Sequence, residues 1–462
     1  MNNTQSLRLV VAWVWLGLFA FVVAFLGGSS RPDIGQITPL RPLAALFLIP
    51  ALYYIRFADL RQAKALVALF ALFALWMLLQ LIPVPAAIWH VLPGRDAVVN
   101  LDQLLGIEET RRPISMVPSR GWNALASLIV PLTALLLALS MRANARMLLL
   151  LVAGLGLADA VLGLLQVTAG RSSFLYFYAI TNRGSPVGIF ANENHSAVFS
   201  AIALLVIAHL GVTSRELRER LWLRLAYVPV FAVVLLAVVV SGSRAGVAMG
   251  SIALVVVCAM AWQSMAANSH GHKAGKTQTW LSSHPKLILV LFVAVILGLL
   301  ALFIGLDRAS GFDDAFNKNA FEDLRWRLLP ILQQMARTNW GLGIGFGSFE
   351  ETYHIYEPTS LLLPSYVNQA HNDWLQLVIE GGLPAVLLLL ATLGWVVISL
   401  IRKAIAPGRD FSQILMFGFA LAIIGAASLV DYPLRAPIFQ AVSVWLLLSL
   451  ALSHPNSQSR SS

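Results

Sequence analysis

Charge is what this chain has least of. Only 12% of its 462 residues are Asp, Glu, Lys or Arg, about half the share of an average soluble domain. That is too little polar surface to cover a globule in water, and an ordinary soluble enzyme is excluded. Cysteine is nearly missing. Cys258 stands alone in an apolar run, so neither an internal disulfide nor a thiolate metal site is available; it reads as a small core residue. There is no D-x-D pair and no H-E-x-x-H, the spacings that would hold a catalytic divalent cation. Asp313-Asp314 and the His270/His272 pair are badly spaced for ligands and read as solvated loop residues. No internal repeat is visible, and the two halves differ in loop length and motifs, whereas many secondary transporters are built from repeats.

What is present is hydrocarbon. The chain is 58% hydrophobic with a mean hydropathy of +0.77, and apolar runs of 18 or more residues recur along it. The fold class is therefore an all-α polytopic membrane protein, one membrane domain over 1–462. The runs predict about twelve transmembrane helices: 8–27, 38–55, 63–83, 121–140, 146–167, 196–212, 223–240, 245–263, 286–305, 383–401, 412–430 and 437–453. The first run is longer than a signal-peptide core and has only Arg8 before it, so it reads as a retained helix.

Charge distribution orients the spans. With both termini on one side, that side collects 17 basic and 4 acidic residues, while the other collects 15 basic and 17 acidic. The positive side is the cytoplasmic one. The net charge of +10 thus belongs to membrane orientation, not to a nucleic-acid partner. Both termini are therefore expected in the cytoplasm, with the longer loops on the outer face of the membrane. The longest, about 306–370, reads as a partly helical lid over the membrane domain. In it Leu324, Leu328, Ile331, Leu332 and Met335 recur at helical spacing, an amphipathic helix at the membrane surface. A glycine-dense turn segment, GLGIGFGSF, follows.

Four polar groups stand at the outer ends of predicted spans. In TNRGSPVGIFANENHSAVF, Asn192 or Asn194 suits a helix N-cap and Glu193 the positive helix end; neither accounts for Arg183. In SGSRAG, Arg244 either snorkels or binds a ligand where Gly242, Ser243 and Gly246 allow close approach. In DYPLRAP, Arg435 either pairs with Asp431 or enters a site. In NQAHNDWLQLVIEGG, His371 stands at a helix mouth with Asn372. Asp373, Leu377 and Glu380 share a face of that helix. Arginine forks suit phosphate oxygens, and histidine exchanges protons near neutral pH. Together they suit a lipid-linked phosphate substrate at the outer leaflet. Arginines would hold its diphosphate as leaving group, with no metal or other cofactor, and His371 would deprotonate an attacking hydroxyl.

These segments resemble the O-antigen ligase-like membrane protein family. GIFANENHSA is similar to its G-x-F-x-N-x-N-H segment, SGSRAG to its S-R-[AG]-G turn, and NWGLGIGFGSFEETYHIY to its P-x-x-G-x-G-x-G-x-F…Y segment. AHNDWLQLVIEGGLPAVLLLL is similar to its H-N-[DE]-x-L-x-x-x-x-E-x-G-x-x-G signature. The motifs stand in order over about 181–402, nearly half the chain. The departures are Glu193, where arginine is common, Asn339-Trp340 where proline often stands, and Ala385 closing the last motif.

The resemblance implies a glycosyltransferase using an undecaprenyl-diphosphate-linked glycan, metal-independent and inverting. The acceptor is lipid A–core for a ligase, or a second lipid-linked glycan for an O-antigen or exopolysaccharide polymerase; the sequence does not separate them. It implies diphosphate binding by Arg244 and Arg183; Asn194 and Arg435, from the reading of the residues, are further candidates for substrate binding. His371 is the implied base, supported by Asn372, Asp373 and Glu380. Arg325 and Arg327, on the amphipathic helix, face either the site or lipid phosphates. A secondary transporter is the rival from another class. It would put several charges near the midplane, where Asp159 is the one clear case, and RFADLRQAK lacks the major facilitator loop pattern.

Overall fold

The computed structural model describes residues 3–31, 34–269, 319–362 and 367–453. In chain order the principal helices are α1 (Asn3–Leu26), α2 (Leu40–Tyr54), α3 (Lys64–Leu79), α4 (Pro118–Ser127), α5 (Ile129–Ser140), α6 (Ala145–Ala169), α7 (Glu193–Thr213), α8 (Leu221–Val240), α9 (Arg244–Ser269), α10 (Asn319–Asn339), α11 (Phe349–Tyr356), α12 (Asp373–Ile405), α13 (Phe411–Val430) and α14 (Pro437–Leu452). The one sheet among the described residues is a two-stranded antiparallel ribbon pairing Pro83 with Pro113 and Val84 with Arg112. Seven helices among the described residues are long and apolar enough to cross a membrane, α4 and α5 counting as one, and four more apolar helices are shorter. They lie where spans were expected. The expected span 286–305 falls outside the described residues, as do Asp313-Asp314 and His270/His272.

The core is organised around α7. From His195 to His209 every residue of this helix is buried, and it packs against α6, α8, α9 and α13. A helix that is apolar all round belongs at the centre of a bundle. Small residues let it be approached closely: a Cβ on Gly246 of α9 would come within 2.2 Å of the Ala197 Cβ. This contact sets the start of α9 beside the start of α7. A second layer, α2 on α5 with α14 against α5 and α6, completes the bundle.

The amphipathic helix expected after residue 320 forms as α10. Leu328, Leu332 and Met335 are buried, and the stripe packs against α12 rather than standing apart from the helical domain. Its hydrophobic cluster takes in Ile344, Phe349, Tyr353 and Ile379.

The helix α12 is two helices in line. Gly382 has φ 60° and ψ −161°, so the helical path stops after Gly381 and resumes behind Pro384. Pro384 loses nothing in that first turn, where its missing N–H has no partner to make. The break frees carbonyls that must find donors. Ile344 N donates to Ile379 O (2.9 Å), and Gly345 N to Glu380 O (3.0 Å). Gln80 Nε2 also donates to Glu380 O (2.9 Å), and Trp76 Nε1 to Gly381 O (2.7 Å). The glycine-dense segment is therefore a backbone splint. A Cβ on Gly343 (φ 74°) would lie 2.2 Å from Glu380 O, so no other residue fits there.

Replacing Gly343 or Gly382 by Ala should destabilise the protein by about 1–3 kcal/mol, read as a lower thermal midpoint of detergent-purified protein. An unchanged midpoint for both would mean that the splint does not hold the break.

Candidate active site

The break puts a short helix, residues 373–381, beside the α13–α14 turn. One face of it carries Asp373 and Glu380, as the spacing predicted, and both meet Arg435. Arg435 Nη2 donates to Glu380 Oε2 at 2.9 Å, and Nε lies 3.5 Å from Asp373 Oδ1. Both acids are buried. Asp373 also accepts from Ser428 Oγ (3.1 Å) and Leu434 N (3.2 Å). Glu380 Oε1 accepts from Gly347 N (3.0 Å) and Phe349 N (3.3 Å), the start of α11. Burial alone would lower the pKa of Arg435; the Glu380 and Asp373 carboxylates outweigh it and raise the pKa, so the guanidinium stays charged. Arg435 is thus held by the acids of α12, in place of the simpler pairing with Asp431.

Asp431 instead sits between two histidines. Its Oδ1 lies 3.8 Å from His371 Nδ1 and its Oδ2 lies 3.8 Å from His195 Nε2, ionic rather than hydrogen-bonding separations. Asn194 Nδ2 donates to the same Oδ2 (3.2 Å). The Tyr432 ring stands 4.9 Å from His371 and 5.6 Å from His195. His371 itself has φ 49°, an uncommon backbone for a residue with a side chain. Neighbours impose it. Asn372 caps α12 through Leu375 N (3.0 Å) and donates to Leu429 O (2.9 Å). Gln376 Oε1 accepts from Ala370 N (3.0 Å) and its Nε2 donates to Gln369 Oε1 (2.7 Å).

Residue 194 is in the first turn of α7, not at its cap. Asn192 is the cap, its Oδ1 accepting from Asn194 N at 2.8 Å, and this frees the Asn194 amide for Asp431. Arg244 opens α9 and is exposed, close in the fold to the α7 start through the Gly246–Ala197 contact. Arg183 is exposed and works within its own loop. It donates to Arg171 O (3.1 Å) and lies over the Tyr176 ring at 5.5 Å. Next to it, Asn182 Oδ1 accepts from Glu193 N (3.3 Å), so the loop ends at the same helix start. The structure thus joins His371, Asn194, Asp373, Glu380 and Arg435 in one network and leaves Arg183 and Arg244 at its margin. Arg327 is exposed and reaches Ser360 O at 3.4 Å; the Arg325 side chain lies outside the described ones.

Asp159, the midspan acid, has a local task. It accepts from Ile189 N (2.9 Å), Ser196 Oγ (2.8 Å) and Ser200 Oγ (3.4 Å), tying the 187–190 turn to α7. Arg95, unremarked in the sequence, is buried and bonds Pro93 O, Asn339 Oδ1, Ile114 O and Gly343 O at 2.8–3.2 Å. Burial brings its pKa down to about 10, so it remains a cation that clamps the 84–117 loop onto the glycine splint. Beside Arg435 opens a cavity of about 420 Å³ that reaches from Asp373 and Glu380 to Arg31, Arg41 and Arg120.

Residues 229–390 match the family model described as O-Antigen ligase. Over that stretch the chain is similar to the O-antigen ligase family. The matched residues include Arg244, the glycine splint, His371, Asp373 and Glu380. Arg183, Asn194, Asp431 and Arg435 lie outside it. No curated protein matches the chain.

Arg435→Ala leaves two buried carboxylates without their counter-charge and should cost about 3–5 kcal/mol of stability. Adding Glu380→Gln should restore part of that loss. A double-mutant cycle on thermal unfolding measures the coupling, and strict additivity would show that the pair is not coupled.

Proposed function

We propose that this chain is a lipid-carrier-dependent glycosyltransferase of the O-antigen ligase type. It transfers a glycan from undecaprenyl diphosphate to a lipid A–core acceptor at the periplasmic face of the bacterial inner membrane. The observation that carries the reading is the placement of His371, which meets Asp431, Tyr432 and, through Asp431, the Asn194 end of α7.

In this reading Asp431 faces His371 Nδ1, which leaves Nε2 to receive a proton. The acceptor hydroxyl gives that proton to Nε2 as its oxygen bonds the anomeric carbon. The bond from that carbon to the carrier's diphosphate breaks, and its electron pair leaves with the phosphate oxygen. One displacement inverts the anomeric centre. Arg244 and Arg183, cations at the margin of the network, receive the developing diphosphate charge, the task a divalent cation performs elsewhere. Asn194 and Arg435 order the wall between the two partners. The acids at 373 and 380 keep Arg435 fixed, so its role is positional. The 319–362 segment, packed on the first half of α12, covers the site as a lid.

The test is a gene deletion complemented by wild type, His371→Ala or Arg244→Ala, with surface glycolipid and carrier-linked glycan resolved on gels. Wild type should restore long chains on lipid A–core. His371→Ala, present at normal level, should lower transfer about 10²–10⁴-fold, with full-length chains accumulating on the carrier. Single repeat units on the carrier would instead identify a polymerase. Full activity of His371→Ala would remove the base assignment, and a deletion without glycan phenotype would remove the function.

A further inference from the structure

The cavity beside Arg435 is not used by the residues assigned to the carrier's diphosphate. Arg183, Asn194, Arg244 and His371 are absent from its lining. What does line it falls into two zones. One wall is apolar and comes from the membrane helices, with Leu40 of α2, Phe70 and Phe73 of α3 and Val130 of α5. A second part of the lining is polar: Asp373, Gln376 and Glu380 of α12, with Asn368 and Gln369 just before His371. A soluble sugar has no use for the first wall, and a bystander lipid chain has no use for the second. The division suits an amphiphile with its hydrocarbon against the helices and its head toward α12.

Charge narrows the head group. Arg435 is neutralised by Asp373 and Glu380, and Arg120 by Glu351 and Glu350. Arg41 differs, since it donates to a neutral amide, Asn123 Oδ1, at 2.6 Å. Both residues line the cavity, and that bond holds the guanidinium without cancelling its charge. Arg31 lines the same cavity. A guanidinium so held is a phosphate or carboxylate ligand.

We propose that this cavity is a second lipid site, taking a phosphate-bearing amphiphile whose head group is the glycosyl acceptor. Arg41 holds its phosphate, and the amides and acids of α12 hold its sugar hydroxyls. Asn368 and Gln369, which line the cavity, stand three and two residues before His371 in the chain, so the acceptor hydroxyl is delivered toward the base from this cavity. The assignment to the acceptor rests on the glycosyltransferase reading above; the binding of an anionic lipid does not.

The test uses the full-length protein in detergent and three probes: short-chain phosphatidic acid, the matching diacylglycerol and inorganic phosphate. Native mass spectrometry reads binding. Phosphatidic acid should bind wild type and His371→Ala alike, and Arg41→Gln should weaken it about tenfold, as loss of a charge-assisted bond does. Ala124→Phe, which fills the cavity from the α4 side, should weaken it as well, and it does not depend on Arg41 folding normally when replaced. Equal binding of diacylglycerol would reduce the cavity to a bystander lipid groove, and equal binding of inorganic phosphate to a simple anion site; either overturns the proposal. So does unchanged phosphatidic acid binding in both variants. If instead the variants lose the probe while gene deletion leaves every glycan unchanged, the glycosyltransferase reading falls and takes the acceptor assignment with it.

Discussion

Inside a bilayer a backbone carbonyl without a donor costs several kcal/mol, and α12 frees its carbonyls at the very place where the candidate site is built. Much of the surrounding architecture answers that one demand. Gly343, Gly345 and Gly347 adopt left-handed conformations, which lets the N–H groups of this segment reach Ile379 and Glu380. Gln80 and Trp76 supply side-chain donors from α3, and Arg95 clamps the splint from behind. The break in turn sets a short helix beside the α13–α14 turn, where Asp373 and Glu380 meet Arg435.

Electrostatics then follow from position. Two buried acids face one arginine, and the surplus negative charge is absorbed by backbone donors at Gly347, Phe349 and Leu434. Glu380 thereby links the splint, the start of α11 and Arg435 through one carboxylate. Asp431 repeats the device with weaker partners. It lies 3.8 Å from each of two histidines and bonds Asn194, so it connects α7, α12 and α13 through one carboxylate.

Much of this was legible in the sequence because membrane burial leaves few polar residues to explain. The helix positions follow from apolar run length, and Asp373 and Glu380 were placed on one face by spacing alone. The break itself was signalled by Gly381-Gly382 followed by Pro384. Asp431 was legible only as the neighbour of Arg435, because the pairing that matters is with histidines about 60 and 236 residues earlier in the chain. Gln80 and Arg95 gave no signal: a lone glutamine closing an apolar run and a lone arginine in a loop look like ordinary boundary residues. Their partners are main-chain atoms, which carry no sequence identity. The cap of α7 needed the structure too, since Asn192 and Asn194 are equally suited by type.

The splint also fixes an order of events during synthesis. Trp76 and Gln80 wait for partners 305 and 300 residues further along the chain. At typical elongation rates of about 5–20 residues per second, that separation amounts to roughly 15–60 s. During that interval α3 is already made while the groups it will bond are not. The first third of the protein must therefore remain laterally open, and the site closes as a late event of membrane insertion.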